Sequence, residues 1–298
     1  MGKTLYLECE MGLSGDMFVA TLLDLGARED VLLKALESLN VDGFKIAIKH
    51  VKKSEISMLD FDVILDEAHQ NHDHDMDYLY GHEHSHEHNH EHNHEHTHEH
   101  EHSHEHTHEH EHSHEHMHSH EHSHEHSHHH RGLKEIYEII DSGNLTENAN
   151  KLAKRIFEIL AEAESKAHGI SKEEVHFHEV GAIDSIVDVI AAAVCFDDLG
   201  YTDVVIPYLN EGRGTVRCQH GILPVPVPAV TNIVANHGLN LSITSINGEL
   251  VTPTGAAIAA AIMTTDTLPE KFKIRKVGYG AGKREYERPG FVRGMEIE

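Results

Sequence analysis

A histidine stands at every even-numbered position from His82 to His130, and this run limits what the middle of the chain can fold into. Glu, Ser, Asn, Thr and one Met fill nearly all the other positions, and the run holds 26 of the 35 histidines in the chain. In a β-strand the histidines would lie on one face and the remaining residues on the other. Because neither face is apolar, the run cannot contribute to a core, and the sequence predicts a disordered segment.

The composition of this histidine run predicts metal binding. Neutral imidazole is the commonest ligand for transition metals and suits nickel, zinc and copper. Its first members are predicted metal ligands, namely His82, His84, His86, His88 and His90. The alternative is a repeat that expanded by slippage and persists as a tolerated loop. The run selects no particular metal, so the purpose of the metal must be sought in the flanking segments.

Length and charge bound the rest of the chain. Of 298 residues, about 250 lie outside the run, enough for one large domain or two small ones. The formal net charge is −27 with histidine neutral, and twelve of the glutamates lie between His82 and His130. This acidity argues against binding to nucleic acid or an anionic membrane. No apolar run is long enough for a membrane span.

The three cysteines predict a reduced protein. Cys9, Cys195 and Cys218 are widely spaced with no C-x-x-C, which argues against a disulfide framework or a structural zinc site. This usage fits a reducing cytosol, and the strand-like start without a signal peptide predicts a cytoplasmic location. No cysteine has an adjacent histidine and no G-x-S-x-G motif occurs, so nucleophilic hydrolysis is not supported.

Alternating strand and helix patterns predict a mixed fold, α/β to α+β, with a layered sheet-and-helix core that the histidine-rich insert interrupts. We divide the chain into residues 1–68 (a βα unit and a β-pair), the insert 69–131 and the helical and α/β remainder 132–298. Strands are predicted at Lys3–Cys9, Phe44–Ile48, Phe61–Leu65 and Val204–Pro207, with a hairpin or bulge over Lys49–Ser57. Helices are predicted at Met17–Leu25, Asp30–Leu39, Leu133–Ile140, Ile183–Leu199, Ala229–Asn236 and Ala256–Met263. A further long helix is predicted to reach about His168, with Thr146 as its candidate cap.

The run His176-Phe-His-Glu179 is the best compact candidate for a metal site. An H-x-H-E segment in extended form puts both imidazoles on one side with a carboxylate next to them. We therefore predict His176 and His178 as metal ligands. Asp184 and Asp188 follow on one helical face and complete an N/O-rich group suited to nickel, manganese or zinc. The alternative is that Asp184 caps the helix and Asp188 lies on a solvated face.

The glycine loop at Gly12, Ser14, Gly15 and Asp16 is a candidate phosphate site. It leads from a strand into the start of a helix, where backbone N–H groups can cradle an anion. The loop is not a Walker A or G-x-G-x-x-G motif, and a tight turn with Asp16 as a helix cap is an equal alternative.

Two further motifs contain candidate binding residues. Thr252 and Thr254 either cap the following helix or present hydroxyl groups to an oxyanion. His220 precedes a proline-rich segment and is either a rigidly held metal ligand or a lone structural histidine. The segment Gly278–Arg284 is rejected as a nucleotide loop, because its spacing is one residue short of a P-loop and Arg replaces Ser or Thr.

Five motifs occur in a particular order: Gly12-Leu-Ser-Gly-Asp-Met17, His176-Phe-His-Glu-Val-Gly-Ala-Ile-Asp-Ser185, His220-Gly-Ile-Leu-Pro-Val-Pro-Val-Pro228, Thr252-Pro-Thr-Gly-Ala256 and Gly278-Tyr-Gly-Ala-Gly282. In these motifs the chain resembles the LarC family, the nickel insertion proteins of nickel-pincer cofactor synthesis. The match spans nearly all of the chain outside the histidine run, and a variable histidine-rich insert is also typical of the family.

The resemblance implies a reaction. Ni²⁺ would be inserted between the two thiocarboxylate sulfurs of pyridinium-3,5-bisthiocarboxylic acid mononucleotide, with formation of a Ni–C bond, as in a lyase-class metal chelatase. The ring C–H proton must leave, which requires a general base. Glu179, Asp184 and Asp188 are the predicted catalytic carboxylates, with His178 as a further candidate.

The resemblance also implies partners. Family members use CTP with Mn²⁺ or Mg²⁺ and can carry a further C-terminal nucleotide-binding domain. This chain stops at Glu298, so we expect the CTP-binding part to be absent or encoded separately as a partner. The product would serve lactate racemase, whose apoprotein is another expected partner.

Two other functions compete with nickel insertion. The histidine run alone would suit a non-catalytic protein for nickel storage or delivery. The glycine loop would suit a different phosphate-ester or nucleotide enzyme that carries a histidine insert.

Overall fold

A computed structural model of the chain describes residues 2–66, 79, 131–177 and 181–298. The histidine run lies outside these described residues, and so do the predictions of its disorder and of metal binding by His82, His84, His86, His88 and His90. The segments on either side of the run belong to one compact unit.

The described part contains short and medium strands in four sheets. The strands are β1 (Lys3–Glu8), β2 (Phe44–Lys53), β3 (Ile56–Leu65), β4 (Arg131–Gly132), β5 (His176–Phe177), β6 (Tyr201–Val205), β7 (Leu209–Arg213), β8 (Thr215–Cys218), β9 (Gly221–Pro224), β10 (Leu241–Asn247), β11 (Ile274–Ala281) and β12 (Phe291–Ile297). The main sheet has six strands in the order β2-β3-β11-β12-β1-β6. The pairs β10-β7, β4-β5 and β8-β9 form the small sheets.

The main sheet mixes parallel and antiparallel pairs and joins both ends of the chain. Strand β1 is antiparallel to β12 and parallel to β6, while β3 is antiparallel to β2 and parallel to β11. Strands that precede the histidine run are therefore hydrogen-bonded to strands that follow it. Together with the helices, this sheet confirms the predicted mixed fold of sheet and helix.

The predicted helices are present with small shifts at their ends. They are α1 (Gly15–Asp24), α2 (Glu29–Glu37), α3 (Leu133–Ser142), α4 (Glu147–His168), α5 (Ile183–Leu199), α6 (Pro228–His237) and α7 (Pro253–Ile262). Thr146 caps α4, as expected, because its hydroxyl oxygen accepts a hydrogen bond from the N–H of Ala149 at 3.1 Å. Gly169 ends α4 in the left-handed conformation with φ of 68°.

Helix α1 lies at the centre of the core. It packs on β3, β11 and β12 on the sheet side and on α5 on the other side, so nine of its ten residues are buried. Helix α4 packs on α5, α6 and α7. This arrangement brings the ends of several helices to one region of the molecule.

The glycines of β11 allow the close packing of α1 on the sheet. A Cβ atom on Gly280 would lie 2.0 Å from the carbonyl oxygen of Met17, and one on Gly278 would lie 2.7 Å from that of Thr21. Only residues without a side chain fit at these contacts. Helix packing therefore accounts for this glycine cluster, in keeping with its rejection as a nucleotide loop.

Some predicted boundaries are wrong for local reasons. The hairpin predicted over Lys49–Ser57 exists, but both strands continue to a two-residue turn at Ser54 and Glu55, which have φ of 48° and 65°. Positive φ at both positions matches the twist of a tight hairpin. The strand predicted at Val204–Pro207 instead ends at Val205, and β10 was not predicted because its apolar residues do not alternate regularly.

Candidate functional site

The N-terminal ends of four helices meet around a cavity of about 270 Å³. This volume is near the lower end of the range of small-molecule sites, about 300–1,000 Å³. The helix ends supply Ser14, Gly15 and Asp16 (α1), Asp184, Ser185 and Asp188 (α5), Val227, Pro228 and Ala229 (α6), and Thr252, Pro253 and Thr254 (α7). A helix N-terminus carries partial positive charge and exposed N–H groups. The cavity therefore suits an anionic ligand.

The starts of α1 and α5 are in direct contact at the cavity. The hydroxyl of Ser14 donates a short hydrogen bond to Oδ1 of Asp16. Asp188 packs against Gly15 so closely that a Cβ atom on Gly15 would lie 2.8 Å from its Oδ2 atom. The absence of a side chain at Gly15 thus makes room for the carboxylate of Asp188.

Asp188 belongs to a cluster of carboxylates around one lysine. Burial raises the pKa of Asp188 well above its ordinary value, the nearby charge of Asp16 raises it further, and the charge of Lys283 opposes both. The Lys283 ammonium lies 2.6 Å from Oδ1 of Asp62. Burial lowers the pKa of Lys283, but the carboxylates of Asp16, Asp188 and Asp62 more than offset this, and the pKa is raised. The lysine therefore stays charged beside the cavity.

An ion pair borders another part of the cavity. Nη1 of Arg284 lies 2.6 Å from Oε2 of Glu249, and both side chains are largely buried. The hydroxyl of Tyr286 donates to the backbone carbonyl of Glu249 at 2.7 Å. Paired and hydrogen-bonded in this way, Arg284 can keep its charge at a partly desolvated wall.

Glu211 holds the segment that leads into α7. Its Oε1 atom accepts hydrogen bonds from the N–H groups of Gly212 and Leu250, both at 2.7 Å, and of Val251 at 3.2 Å. Its side chain is fully buried, and Oε2 has no hydrogen-bond partner among the described residues. Burial raises the pKa of Glu211 to about 7, against the effect of the backbone N–H groups. Glu211 therefore positions the loop after β10, which carries Glu249 to the cavity.

The two threonines at the start of α7 have different roles. The hydroxyl oxygen of Thr252 accepts a hydrogen bond from the N–H of Gly255 at 3.1 Å, so the predicted capping role is correct for Thr252. Thr254 is buried in the first turn and also lines the cavity. Pro253 occupies the first helical position, where its missing N–H has no cost.

A thiol and two imidazoles line the cavity near the β8-β9 hairpin. Sγ of Cys218 lies 3.9 Å from Nδ1 of His220. The rings of His220 and His168 have centroids 4.9 Å apart, and Nε2 of His168 lies 3.4 Å from Oε2 of Glu164. Burial lowers the pKa of His220, and the neighbouring His168 lowers it further. His220 is therefore not a lone structural histidine.

The structure brings together eight of the predicted site residues, all of which line the cavity: Ser14, Gly15, Asp16, Asp184, Asp188, His220, Thr252 and Thr254. Gly12 does not line it. Its φ of 80° and close approach to the carbonyl of Leu250 show a turn that serves packing. The alternative of Asp184 as a helix cap is wrong, since Ala182 is the N-cap residue.

The H-x-H-E segment is described only in part. His176 is exposed on β5 and is not among the cavity residues, while His178 and Glu179 lie outside the described residues. Their roles as ligands and base stay predictions. Among the residues that the structure describes, no group of three or more His, Cys, Asp and Glu side chains is arranged to hold a metal ion.

Several cavity residues were not found from the sequence. They are Cys218, His168, Glu164, Glu249 and Arg284, with Lys283 and Glu211 behind them. The C-x-H spacing of Cys218 and His220 is the sequence signal for this pair, because two residues separated by one position can meet in a tight turn. The others come from separate segments of the chain, namely the end of α4, strand β7, the loop after β10 and the segment after β11, which lie together only in the packed molecule.

Comparison with known proteins gives one consistent result. A family model described as nickel insertion protein matches residues 5–297. A protein of Alkaliphilus metalliredigens named pyridinium-3,5-bisthiocarboxylic acid mononucleotide nickel insertion protein is 47% identical over 100% of this chain and 61% of its own length. A protein of the same name from Clostridium acetobutylicum is 44% identical over 98% of this chain and 63% of its own length.

The chain spans about three fifths of the length of the curated relatives that it matches. No solved structure matches the chain. Within the described residues, every helix is too short or too polar to cross a membrane.

Proposed function

The chain belongs to the nickel insertion protein family, and on this basis we propose that it inserts Ni²⁺ into pyridinium-3,5-bisthiocarboxylic acid mononucleotide, the substrate in the names of its relatives. One observation carries the proposal: four helix N-termini, a carboxylate cluster and a thiol–imidazole pair line the same cavity. Such a cavity combines the groups needed to bind an anionic substrate, remove a proton and handle a late transition metal.

The anionic groups of the substrate would bind at the helix ends. The phosphate of a mononucleotide is attracted by the N–H groups at the starts of α1 and α7, near Ser14 and Thr254. The side chains of Arg217 and Arg284 also line the cavity and add positive charge. This charge would compensate the phosphate and the two thiocarboxylates, which otherwise repel the carboxylates of the site.

Asp188 would act as the general base. Insertion replaces the ring C–H bond between the thiocarboxylates by a Ni–C bond, so one proton must pass to the protein. A carboxylate with a raised pKa is a stronger base than an ordinary one. Asp188 lines the cavity, and its pKa is raised by burial and by Asp16. Asp184, which lies one turn earlier on α5, is the alternative base.

Two predictions of the resemblance stay predictions. One is a requirement for CTP with Mn²⁺ or Mg²⁺, and the other is delivery of the product to lactate racemase. The glycine cluster at Gly278–Gly282 packs against α1, an arrangement that does not fit a nucleotide loop. The test reaction therefore contains CTP and either metal ion.

The test is formation of the nickel-pincer product from the mononucleotide, Ni²⁺ and CTP by the chain together with the CTP-binding partner region that the resemblance implies, measured by mass spectrometry. We expect Asp188→Asn to lower the rate about 10²–10⁴-fold, the usual contribution of a general base. Asp30→Asn, which removes a carboxylate on the exposed face of α2, is the matched control and should leave the rate unchanged. Product formation at the normal rate by the Asp188 variant would exclude it as the base.

Nickel storage or delivery is the second candidate, because the histidine run offers many interchangeable nitrogen ligands. A nickel storage protein needs neither a general base nor a substrate cavity, so this function does not account for the carboxylate cluster. Nickel insertion is therefore the better supported function.

A further inference from the structure

Cys218 and His220 lie together on the wall of the cavity because of the β8-β9 hairpin. Cys218 ends β8 and pairs with Gly221, the first residue of β9, and His220 is in the turn between them. Gly221 has φ of 94°, a conformation that favours glycine and permits the tight turn. The hairpin thereby brings Sγ of Cys218 to 3.9 Å from Nδ1 of His220.

The spacing of these two atoms fits one metal ion. First-row metals bind nitrogen at about 2.1 Å and thiolate sulfur at about 2.3 Å, as in zinc sites. One ion can therefore bridge atoms 3.9 Å apart without a change in the fold. Thiolate sulfur and imidazole nitrogen are donors that late first-row metals such as nickel accept well.

We propose that Cys218 Sγ and His220 Nδ1 form a two-donor nickel site, from which nickel passes to the substrate. The inference rests on the proposed function. Two donors leave positions on the metal for the two thiocarboxylate sulfurs, whereas a closed set of four protein ligands would retain the ion.

The transfer is an exchange of ligands without oxidation or reduction. When nickel binds, the Cys218 thiol releases its proton to water and forms the Ni–S bond. Two thiocarboxylate anions then form Ni–S bonds, the bonds to Cys218 and His220 break, and the thiolate takes a proton back from water. The carboxylate cluster lines the same cavity, so the C–H proton can be removed before the substrate leaves.

His168 and Glu164 would position the His220 ring. The His168 ring lies 4.9 Å from that of His220, centroid to centroid, and its Nε2 atom lies 3.4 Å from Oε2 of Glu164. Groups that hold a ligand ring in orientation contribute measurably to metal affinity. This pair comes from the end of α4 and so connects the hairpin to the helical core.

Sulfur makes the site measurable in the presence of the histidine run. The run contains no cysteine, and Cys9 and Cys195 are buried, with 2% and 1% of their surface exposed. Cys218 is the cysteine that is partly accessible. A thiolate-to-nickel charge-transfer band in the near ultraviolet therefore reports on Cys218 and not on nickel held by imidazoles.

The experiment is titration of the full chain with Ni²⁺, followed by this band. We expect a band in the wild-type protein, its loss in Cys218→Ser, and a midpoint about tenfold or more higher in His220→Ala. Cys195→Ala is the matched control and should keep the band. Absence of a band at saturating Ni²⁺, or a band that persists in Cys218→Ser, would overturn the proposal.

The product assay separates this inference from the proposed function. If Cys218→Ser forms product at the wild-type rate when nickel is limiting, the two-donor site is wrong while nickel insertion stands. If the wild-type protein shows the band but forms no product with the mononucleotide, CTP, either metal ion and the CTP-binding partner region, the site stands as a nickel site and the proposed function fails.

Discussion

Gly15 and Asp188 are in contact across the start of α1 and α5, with space for a hydrogen atom but not for a methyl group. A Cβ atom on Gly15 would lie 2.8 Å from Oδ2 and 2.9 Å from Cβ of Asp188. The position of the proposed base therefore depends on a glycine in the loop that the sequence identifies as a candidate phosphate site.

Gly15→Ala should have a larger effect on the rate of product formation than on the free energy of unfolding. Overpacking costs about 1–3 kcal/mol, and better helix propensity returns about 1 kcal/mol of it. Displacement of Asp188 should lower the rate of product formation about 10²-fold. Gly290→Ala is the control, since a Cβ atom there would meet its nearest neighbour at an ordinary 3.5 Å. Equal rates for the two variants would show that Asp188 has no need of this contact.

Lys283→Met should move the pH dependence of kcat/KM to higher pH. The base must be deprotonated, so activity rises with pH through the pKa of Asp188. The charge of Lys283 lowers this pKa, and its removal therefore raises it. Lys34→Met removes an exposed lysine that pairs with Asp30 and should leave the profile in place. A shift to lower pH would contradict the proposed role of Asp188.

Glu211→Gln should remove part of the pH dependence of stability. The pKa of Glu211 is about 7 in the folded protein and 4.5 as the ordinary value. Between these pH values the unfolded chain loses a proton that the folded protein keeps, so the free energy of unfolding falls as pH rises, by about 3 kcal/mol.

The measurement for Glu211 is urea unfolding at several pH values. Glutamine keeps the acceptor oxygen and carries no titrating proton, so the variant should gain stability relative to wild type from pH 4.5 to about 7. Glu270→Gln, at an exposed position, should show a constant difference. A constant difference for Glu211→Gln would mean that its carboxyl group titrates normally.

Substitutions at Thr252 and Thr254 should affect different properties, the first the stability of the protein and the second the binding of the substrate. Thr252→Ala removes the helix cap and should lower the free energy of unfolding by about 1 kcal/mol. Thr254→Val keeps the shape of the side chain but removes a hydroxyl from the cavity. If that hydroxyl binds the phosphate, KM for the mononucleotide should rise about tenfold. An unchanged KM would place the phosphate elsewhere in the cavity.

Deletion of residues 82–130 should distinguish insertion from storage. With ample Ni²⁺ the deletion variant should form product at the wild-type rate, because the cavity residues that the structure describes all lie outside the run. With limiting Ni²⁺ its rate should fall, since fewer imidazoles collect the metal. Replacement of the run by a Gly/Ser segment of equal length controls for the connection. Complete loss of product at ample nickel would give the run a direct part in the reaction.

Much of the secondary structure follows from local pattern. Apolar periodicity predicts α4 and α5 nearly to their ends, because a helix face must repeat about every 3.6 residues to be buried. The helix ends depend on capping residues such as Thr146 and Gly169, whose types can be recognised in the sequence. The β2-β3 hairpin shows the limit, since the apolar alternation stops at Ile48 although β2 continues to Lys53 and the turn lies at Ser54 and Glu55.

Sequence motifs identify the loops that carry reactive or ligand-binding side chains, but they do not show which of these loops lie next to each other in the fold. Sequence patterns alone predict a sheet-and-helix fold, a candidate helix cap at Thr252 and carboxylates spaced along α5. Each of these depends on residues within a few positions of one another. The contacts of Lys283 with Asp16 and Asp188, and of His168 with His220, cannot be predicted from such patterns, because they require distant helices and strands to pack on α1 and α4. Burial then changes the chemistry of the groups it encloses, and burial is a property of the packed molecule.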